Sequence, residues 1–455
     1  MSAVVESGRA GVARERLPLL ADADFARAFA WLRGREISAA EFLADVFALA
    51  ERLPEAGYAL NLCEQRYDFL VAFCAAIVVG QVNLLPASRA PQAIDDVLRS
   101  YANAYAVGDT NPTLPAQLRY VHVPDAIGAA DSGFFSNLLI PADQLVAIGF
   151  TSGSTGTPKA NPKTWGSFCA SSALNAEALE TIAAAAQILA TVPPQHMYGL
   201  ELSVLLPLRS RVAIHAAQPL FPGDIAAALA ELPAPRVLVT TPFHLRTLLD
   251  SGVALPALAG VVTATAPLSM ELARETESRF ATHVLELFGS TETCVIAQRR
   301  TAKDDAWSLY AGIELHPQPD GSLVSAAHFA EPTQLQDIVE VLADRRFRLC
   351  GRNSDLLEIA GKRASLGDLT RRLLAVPGVQ DGVIFQLDAE AGTGVRRLAA
   401  LVVAAQLSET EIVCALRASV DPVFLPRPLR LVDALPRNAT GKLPRDALLA
   451  KLARR

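Results

Sequence analysis

Residues 151–159, Thr-Ser-Gly-Ser-Thr-Gly-Thr-Pro-Lys, carry the groups that hold a polyphosphate. Gly153 and Gly156 admit backbone angles that bulkier residues resist, so main-chain N–H groups can converge on an anion. Ser152, Ser154, Thr155 and Thr157 add hydroxyl donors beside Thr151, and Lys159 adds a mobile positive charge. The apolar run Leu145-Val-Ala-Ile-Gly-Phe150 precedes the loop and reads as the strand that feeds it. The P-loop of kinases and GTPases needs Gly-Lys-Ser/Thr at the start of a helix. Here Pro158 precedes the lysine and Ala160-Asn-Pro162 follows it, which opposes a P-loop phosphotransferase or NTPase.

Such a loop needs rigid elements around it, and the pattern supplies them. From about residue 145 onward, short β-branched runs alternate with segments of three-to-four-residue apolar spacing. Gln187–Val192, Arg211–His215, Arg236–Thr240, Gly260–Thr263 and His283–Leu287 read as strands, and Asp224–Glu231 and Ser269–Phe280 as helices. That order predicts an α/β architecture, with mainly parallel sheets flanked by helices and ligands collecting at the carboxyl ends of strands. The first 145 residues read as more helical and carry no chemical motif. Past Cys350, helices over Leu366–Ala375 and Glu409–Ser419 mix with strands over Gly382–Leu387 and Leu398–Ala404, the signature of a small α+β domain. The expected division is residues 1–350 and 351–455.

Composition sets the outer bounds. A chain of 455 residues exceeds one ordinary core, and 51% hydrophobic content with a mean hydropathy of +0.27 suits a well-packed soluble protein. A net charge of −6 argues against nucleic acid as the main partner. Six cysteines (Cys63, Cys74, Cys169, Cys294, Cys350, Cys414) form no C-x-x-C pair and read as buried thiols in a reducing compartment. The N-terminus mixes acidic and basic residues without an apolar core, so no signal peptide is visible. The longest apolar stretch, Phe69–Gly80, is too short to span a bilayer and reads as a buried helix. A cytosolic protein is expected.

The opening loop resembles the phosphate loop of the adenylate-forming superfamily, which includes acyl- and aryl-CoA synthetases, nonribosomal peptide adenylation domains and luciferases. Further segments match it in order over about residues 145–445. Pro194-Gln-His-Met-Tyr-Gly-Leu200 resembles the motif bordering the carboxylate pocket, which implicates His196. Thr265-Ala266-Pro267-Leu-Ser269 resembles the turn along the adenine. In Leu287-Phe-Gly-Ser-Thr-Glu-Thr293, the resemblance places Phe288 and Gly289 by the adenine, Thr291 on the α-phosphate and Glu292 beside the triphosphate. Magnesium prefers oxygen ligands and shares them with substrate phosphates, which suits Glu292 as its holder. Asp337, in Leu-Gln-Asp instead of the usual Thr-Gly-Asp, and Arg352 match the residues that reach the ribose. The family's hinge falls at Ser354, where Asp or Lys is usual. Gly361-Lys362 matches the loop that lets a phosphopantetheine arm pass. Pro436-Arg-Asn-Ala-Thr-Gly-Lys-Leu-Pro-Arg445 resembles the carboxy-terminal motif whose lysine, here Lys442, contacts carboxylate and α-phosphate.

What the resemblance implies is an AMP-forming acid–thiol ligase with ATP and Mg2+ as cofactors. A carboxylate must approach an anionic phosphate, and two unit charges ~4 Å apart repel by roughly 4 kcal/mol at intermediate dielectric, which explains the need for Lys442 and magnesium. Residues 1–350 would bind ATP and acid, and 351–455 would form the mobile domain. Ala160-Asn-Pro-Lys-Thr-Trp165 looks like the variant found in stand-alone ligases of aryl polyene and xanthomonadin pigment clusters. Those load 3- or 4-hydroxybenzoate onto a holo acyl carrier protein. The acid pocket would then draw on His196, Tyr198, Thr240, Thr241, Thr263 and Cys294. The alternative acceptor is free CoA, with an aryl or fatty acid.

Overall fold

Short-range chemistry sets the element boundaries. Ser38 and Glu41 close a capping box at the first helix, and Thr164, Thr241 and Ser269 each accept an N–H from the turn that follows. The computed structural model describes residues 15–86, 89–110, 114–115, 117–123, 138–151, 159–319, 321–352, 356–359, 362–387, 397–417, 419–437 and 443–453. Contacts divide the chain into one unit of residues 1–188 with 193–218, and a second of 189–192 with 219–455.

The first unit runs β1 (Arg16–Pro18), β2 (Ala28–Leu32), β3 (Arg35–Ser38), α1 (Ala39–Ala50), β4 (Tyr58–Asn61), α2 (Arg66–Val78), β5 (Val82–Leu85), α3 (Pro91–Leu98), β6 (Ala104–Gly108), β7 (Tyr120–His122), β8 (Leu139–Pro141), β9 (Leu145–Thr151), β10 (Lys159–Thr164) and α4 (Trp165–Glu180). The start of β11 (Gln187–Ala190), α5 (Met197–Leu200), a π-helical turn Glu201–Leu205, α6 (Leu206–Arg209) and β12 (Ala213–His215) complete it. One sheet has the order β10-β9-β5-β4-β6-β7, parallel except for β10 at its edge. Pro162 is tolerated in β10 because an edge strand can spare a donor. The apolar stretch at Phe69 is α2, with Phe69 to Ile77 wholly buried. One expectation needs correction: the described residues before 145 are about as much strand as helix. The strands Tyr58-Ala-Leu-Asn61 and Ala104-Tyr-Ala-Val-Gly108 are short and alanine-bearing, and parallel pairing instead of β-branched propensity holds them.

The second unit begins with α7 (Pro222–Glu231), β13 (Arg236–Thr240), α8 (Pro242–Asp250), β14 (Gly260–Thr263), α9 (Met270–Phe280), β15 (Val284–Ser290), β16 (Cys294–Arg299) and β17 (Trp307–Leu309). Strands β13, β14 and β15 are parallel, and β13 and β14 are buried on both faces, which is why those two read as nearly continuous apolar runs. Beyond β15 pairing turns antiparallel through β16, β17, β22 (Arg346–Arg352) and β21 (Asp337–Val341), so the sheet is more mixed than the alternating pattern predicts. A small antiparallel sheet joins β18 (Glu314–Gln318), β19 (Gly321–Ser325) and β20 (Thr333–Leu335). Then follow β23 (Leu356–Ile359), β24 (Lys362–Ser365), α10 (Leu366–Leu374), β25 (Asp381–Gln386), β26 (Leu398–Val403), α11 (Glu409–Leu416), β27 (Leu429–Leu431) and α12 (Arg445–Ala453). Leu369, Leu373, Ile384, Val402, Ile412 and Leu416 pack as one cluster there.

Four cysteines are buried as expected, whereas Cys350 and Cys414 are exposed, the first on β22 and the second on α11. No described helix is long and apolar enough to cross a membrane.

Candidate active site

In the first unit, β9 and β10 form a hairpin whose last paired residues are Thr151 and Lys159. The ends of the phosphate-type loop are therefore held by a sheet edge, with Lys159 exposed and Thr151 half-buried. Ser152, Gly153, Ser154, Thr155 and Gly156 lie outside the described residues. Behind the loop, the buried Asn161 amide donates to the carbonyls of Gly149 and Lys159, at 3.2 Å each, tying the two strands together. Trp165 is fully buried; its indole N–H donates to Leu17 O at 3.3 Å, and the Arg209 guanidinium lies 5.9 Å over its ring. This tryptophan packs the core that supports the hairpin.

His196 immediately precedes α5, half-exposed, and its carbonyl accepts Leu200 N–H at 2.7 Å. Tyr198 follows at 8% exposure. The next turn is π-helical, a geometry that recurs at functional sites because it re-aims side chains. Buried polar contacts fix this turn. Glu201 accepts Ser171 Oγ at 2.9 Å and Asn175 Nδ2 at 3.0 Å from α4, Ser203 Oγ donates to Gly199 O at 2.6 Å, and the buried Arg66 donates to Ser203. His196 and Tyr198 thus stand on a clamped segment.

In the second unit, Thr291 and Glu292 occupy the apex of the β15–β16 hairpin. Ser290 N–H donates to Thr293 Oγ1 and Thr293 N–H to Ser290 Oγ, both at 3.2 Å, and Thr293 Oγ1 donates to Cys294 O at 2.8 Å. These bonds close the turn from inside, with Thr291 and Glu292, both half-buried, at its centre. Gly289 is needed for the closure, because a Cβ there would lie 2.7 Å from Val295 Cα and strike the Cys294 backbone. Phe288 packs against Trp307 and Phe347, with ring centroids 5.3 and 5.7 Å away. Cys294 is buried and adopts φ of 61°.

Thr265 is exposed and holds φ at 80°, a conformation that costs a β-branched residue energy and is found where function demands it. Thr265, Ala266 and Pro267 form the turn after β14, anchored at its end by Leu268 N–H donating to Glu286 Oε1 at 3.2 Å. Buried Glu286 also accepts Arg299 Nε at 2.7 Å and the Thr301 hydroxyl. One carboxylate thus couples the turn to the strand that leads into the hairpin, a role no sequence motif marks. Further along, Asp337 and Arg352 are direct partners across the β21–β22 pair, although fifteen positions separate them in the chain. The Arg352 side chain, Ser354, Gly361, the Lys362 side chain and Lys442 lie outside what the structure describes.

Thr240 and Thr263 are register partners at the carboxyl ends of β13 and β14, and both are buried. Thr191, not singled out by sequence, joins them: its N–H donates to Val239 O at 2.9 Å, and its hydroxyl lies 2.9 Å from Thr240 Oγ1 and 2.9 Å from His244 Nδ1. Burial lowers the pKa of His244, which keeps the ring neutral near pH 7. The available signal was positional, since polar residues fall where strand β13 ends and α8 begins.

No group of three or more His, Cys, Asp or Glu side chains converges among the described residues. A single half-buried carboxylate at a hairpin apex, Glu292, fits magnesium all the same, because that ion keeps waters and substrate phosphate oxygens as most of its ligands.

A family model described as AMP-binding enzyme matches residues 25–316. The 4-coumarate–CoA ligase of Halorhodospira halophila is 30% identical over 321 residues, covering 64% of this chain and 73% of that protein. The 4-coumarate–CoA ligase of Rhodobacter capsulatus is 29% identical, covering 68% and 77%. Among solved structures, ATP-bound MatB from Rhodopseudomonas palustris superposes with a TM-score of 0.80 at 19% identity, covering 95% of this chain and 97% of that one. The o-succinylbenzoate CoA synthetase MenE from Bacillus subtilis, in complex with its acyl-adenylate, gives 0.80 at 17% identity, covering 95% and 98%.

Proposed function

We infer that this chain, which belongs to the AMP-binding family of adenylate-forming enzymes, activates an aromatic acid of the hydroxybenzoate class and passes it to a phosphopantetheine thiol. ATP-dependent acid activation with Mg2+ and AMP-forming acid–thiol ligation are properties of the family. The aromatic acid is the finer proposal. Its chief support is the likeness to 4-coumarate–CoA ligases, whose named substrate is a hydroxylated aromatic acid.

In the first step a carboxylate oxygen attacks the α-phosphorus, the bond to the bridging oxygen breaks, and pyrophosphate leaves with the electron pair. Lys159 and the 151–156 loop would hold the phosphates, and Thr291 the α-phosphate. Phe288, Gly289 and Thr265-Ala266-Pro267 would border the adenine, and Asp337 and Arg352 the ribose. Glu292 would hold magnesium, which would supply positive charge beside the triphosphate. Lys442 brings positive charge to the approaching carboxylate and the α-phosphate, offsetting a repulsion of roughly 4 kcal/mol. His196, Tyr198, Thr240, Thr263 and Cys294 would line the acid. In the second step the thiol sulfur attacks the acyl carbon, the carbon–oxygen bond to AMP breaks, and AMP departs while the thiol proton passes to solvent. Residues 351–455, turning at Ser354, would exchange Lys442 for the Gly361-Lys362 loop between the steps.

The acceptor we favour is a holo acyl carrier protein in the cytosol, from the Ala160–Trp165 variant. Free CoA is the second reading, favoured by the names of the relatives. The test is thioester formation from 3- and 4-hydroxybenzoate, 4-coumarate and octanoate with ATP, offered CoA or a holo carrier protein. A preference for octanoate refutes the aromatic reading, and a preference for CoA refutes the carrier reading.

A further inference from the structure

We propose that His244 reads a neutral hydroxyl on the ring of the acid, with Thr191 as its positioning residue and Thr263 as a second polar contact. The proposal rests on the acid-activation reading above and names what that site selects.

Three threonines end adjacent strands at one level: Thr191, Thr240 and Thr263 are 0%, 1% and 0% exposed. Their neighbours Val239 and Val262 are equally buried, so valine would fill the same volumes without the cost of desolvating a hydroxyl. Thr191 Oγ1 bridges Thr240 Oγ1 and His244 Nδ1 at 2.9 Å each. Thr263 Oγ1 is buried and meets no hydrogen-bond partner among the described residues. A buried hydroxyl left open in this way marks a place that a ligand group or an ordered water completes. The row lies at the carboxyl ends of parallel strands, where open α/β sheets bind their ligands.

His244 supplies the reading group. Its Nδ1 is held by Thr191, and none of its hydrogen bonds among the described residues uses Nε2. A threonine hydroxyl either donates to Nδ1 or accepts from it, so Nε2 is available as donor or acceptor according to the tautomer. A phenolic hydroxyl satisfies both. The polar groups of the row are neutral, and the next strand's Glu286 is engaged by Leu268, Arg299 and Thr301. A hydroxyl therefore fits better than an ammonium or a second carboxylate, each of which needs an opposite charge when desolvated.

The test is acid-dependent ATP–pyrophosphate exchange by the full chain with benzoate, 3- and 4-hydroxybenzoate, and 3- and 4-methylbenzoate. The wild type should prefer one hydroxybenzoate over benzoate and its methyl isostere by ~10- to 100-fold in kcat/KM. His244→Leu should bring that ratio near one by losing the hydroxy acid while keeping benzoate. Thr263→Val breaks no hydrogen bond seen in the protein, so it should keep the melting temperature and still lower the ratio. An unchanged ratio in both variants, or an equal loss for every acid in folded His244→Leu, overturns this inference and leaves the proposed function standing. A wild type that exchanges with aryl acids without hydroxyl preference does the same. Failure to activate any aryl acid overturns both readings.

Discussion

Replacing Gly289 with alanine tests whether the β15–β16 hairpin carries the chemistry. A Cβ at this position strikes the Cys294 carbonyl and lies 2.7 Å from Val295 Cα and 2.8 Å from the Cys294 carbonyl carbon. All of these are backbone atoms of the facing strand, so no rotamer change relieves the contact. Strand β16 must move by on the order of 1 Å to recover van der Waals spacing. Overpacking of this kind costs ~1–3 kcal/mol, which a protein stable by ~5–15 kcal/mol survives at 25 °C. The shifted segment contains Thr291 and Glu292, and a misplacement of about 1 Å at reacting groups costs ~100-fold in rate. Gly289→Ala should therefore be folded, melt a few degrees lower, and exchange pyrophosphate ~100-fold more slowly at saturating acid and ATP. Gly223→Ala is the control, since its Cβ would meet nothing within 4 Å. Exchange by Gly289→Ala within about threefold of wild type, at the same melting temperature, would refute the reasoning.

Other perturbations separate the remaining parts. Lys442→Ala should lower adenylation ~100- to 1,000-fold yet still transfer a supplied acyl-adenylate to the thiol; single-turnover thioester assays decide, and normal adenylation would sink the assignment. Glu286→Gln should cost ~3 kcal/mol by leaving Arg299 without its buried partner, read as a lower denaturation midpoint, and an unchanged midpoint would contradict the anchoring role. Burial pushes the Asp45 carboxyl up to about 6 although Tyr67 O–H donates to it at 2.6 Å. The folded state therefore binds more protons than the unfolded state between pH ~4 and ~6, and stability falls across that window as pH rises, by up to about 3 kcal/mol. Asp45→Asn should flatten that slope in urea titrations from pH 4 to 7; a slope unchanged in the variant assigns it elsewhere.

Legibility followed how local the determinant was. Arg236–Thr240 and Gly260–Thr263 were readable to the residue because each is a β-branched run ended by a turn former. Tyr58–Asn61 was not, since its strand depends on parallel neighbours distant in sequence. The same contrast holds at the site. The hairpin residues Thr291 and Glu292 sit in a contiguous motif, but the need for Gly289 appears only once the facing backbone is known. Asp337 and Arg352 show as a spacing in sequence and as a cross-strand pair in the fold. Thr191 and His244 lie 53 positions apart and meet through side chains, and Glu286 binds three groups from two other segments; no periodicity encodes such contacts. Trp165 shows the converse: a residue noticed for its sequence variant proves to be buried core.

The central claim is that this chain couples ATP cleavage at the α-phosphate to activation of an aromatic hydroxy acid. The most direct measurement is exchange of labelled pyrophosphate into ATP by the purified chain with Mg2+, with and without 3- or 4-hydroxybenzoate. The account predicts exchange that requires the acid, and release of AMP and pyrophosphate once a pantetheine thiol is added. Acid-independent hydrolysis of ATP to ADP and phosphate, or no exchange with either hydroxybenzoate, would contradict it.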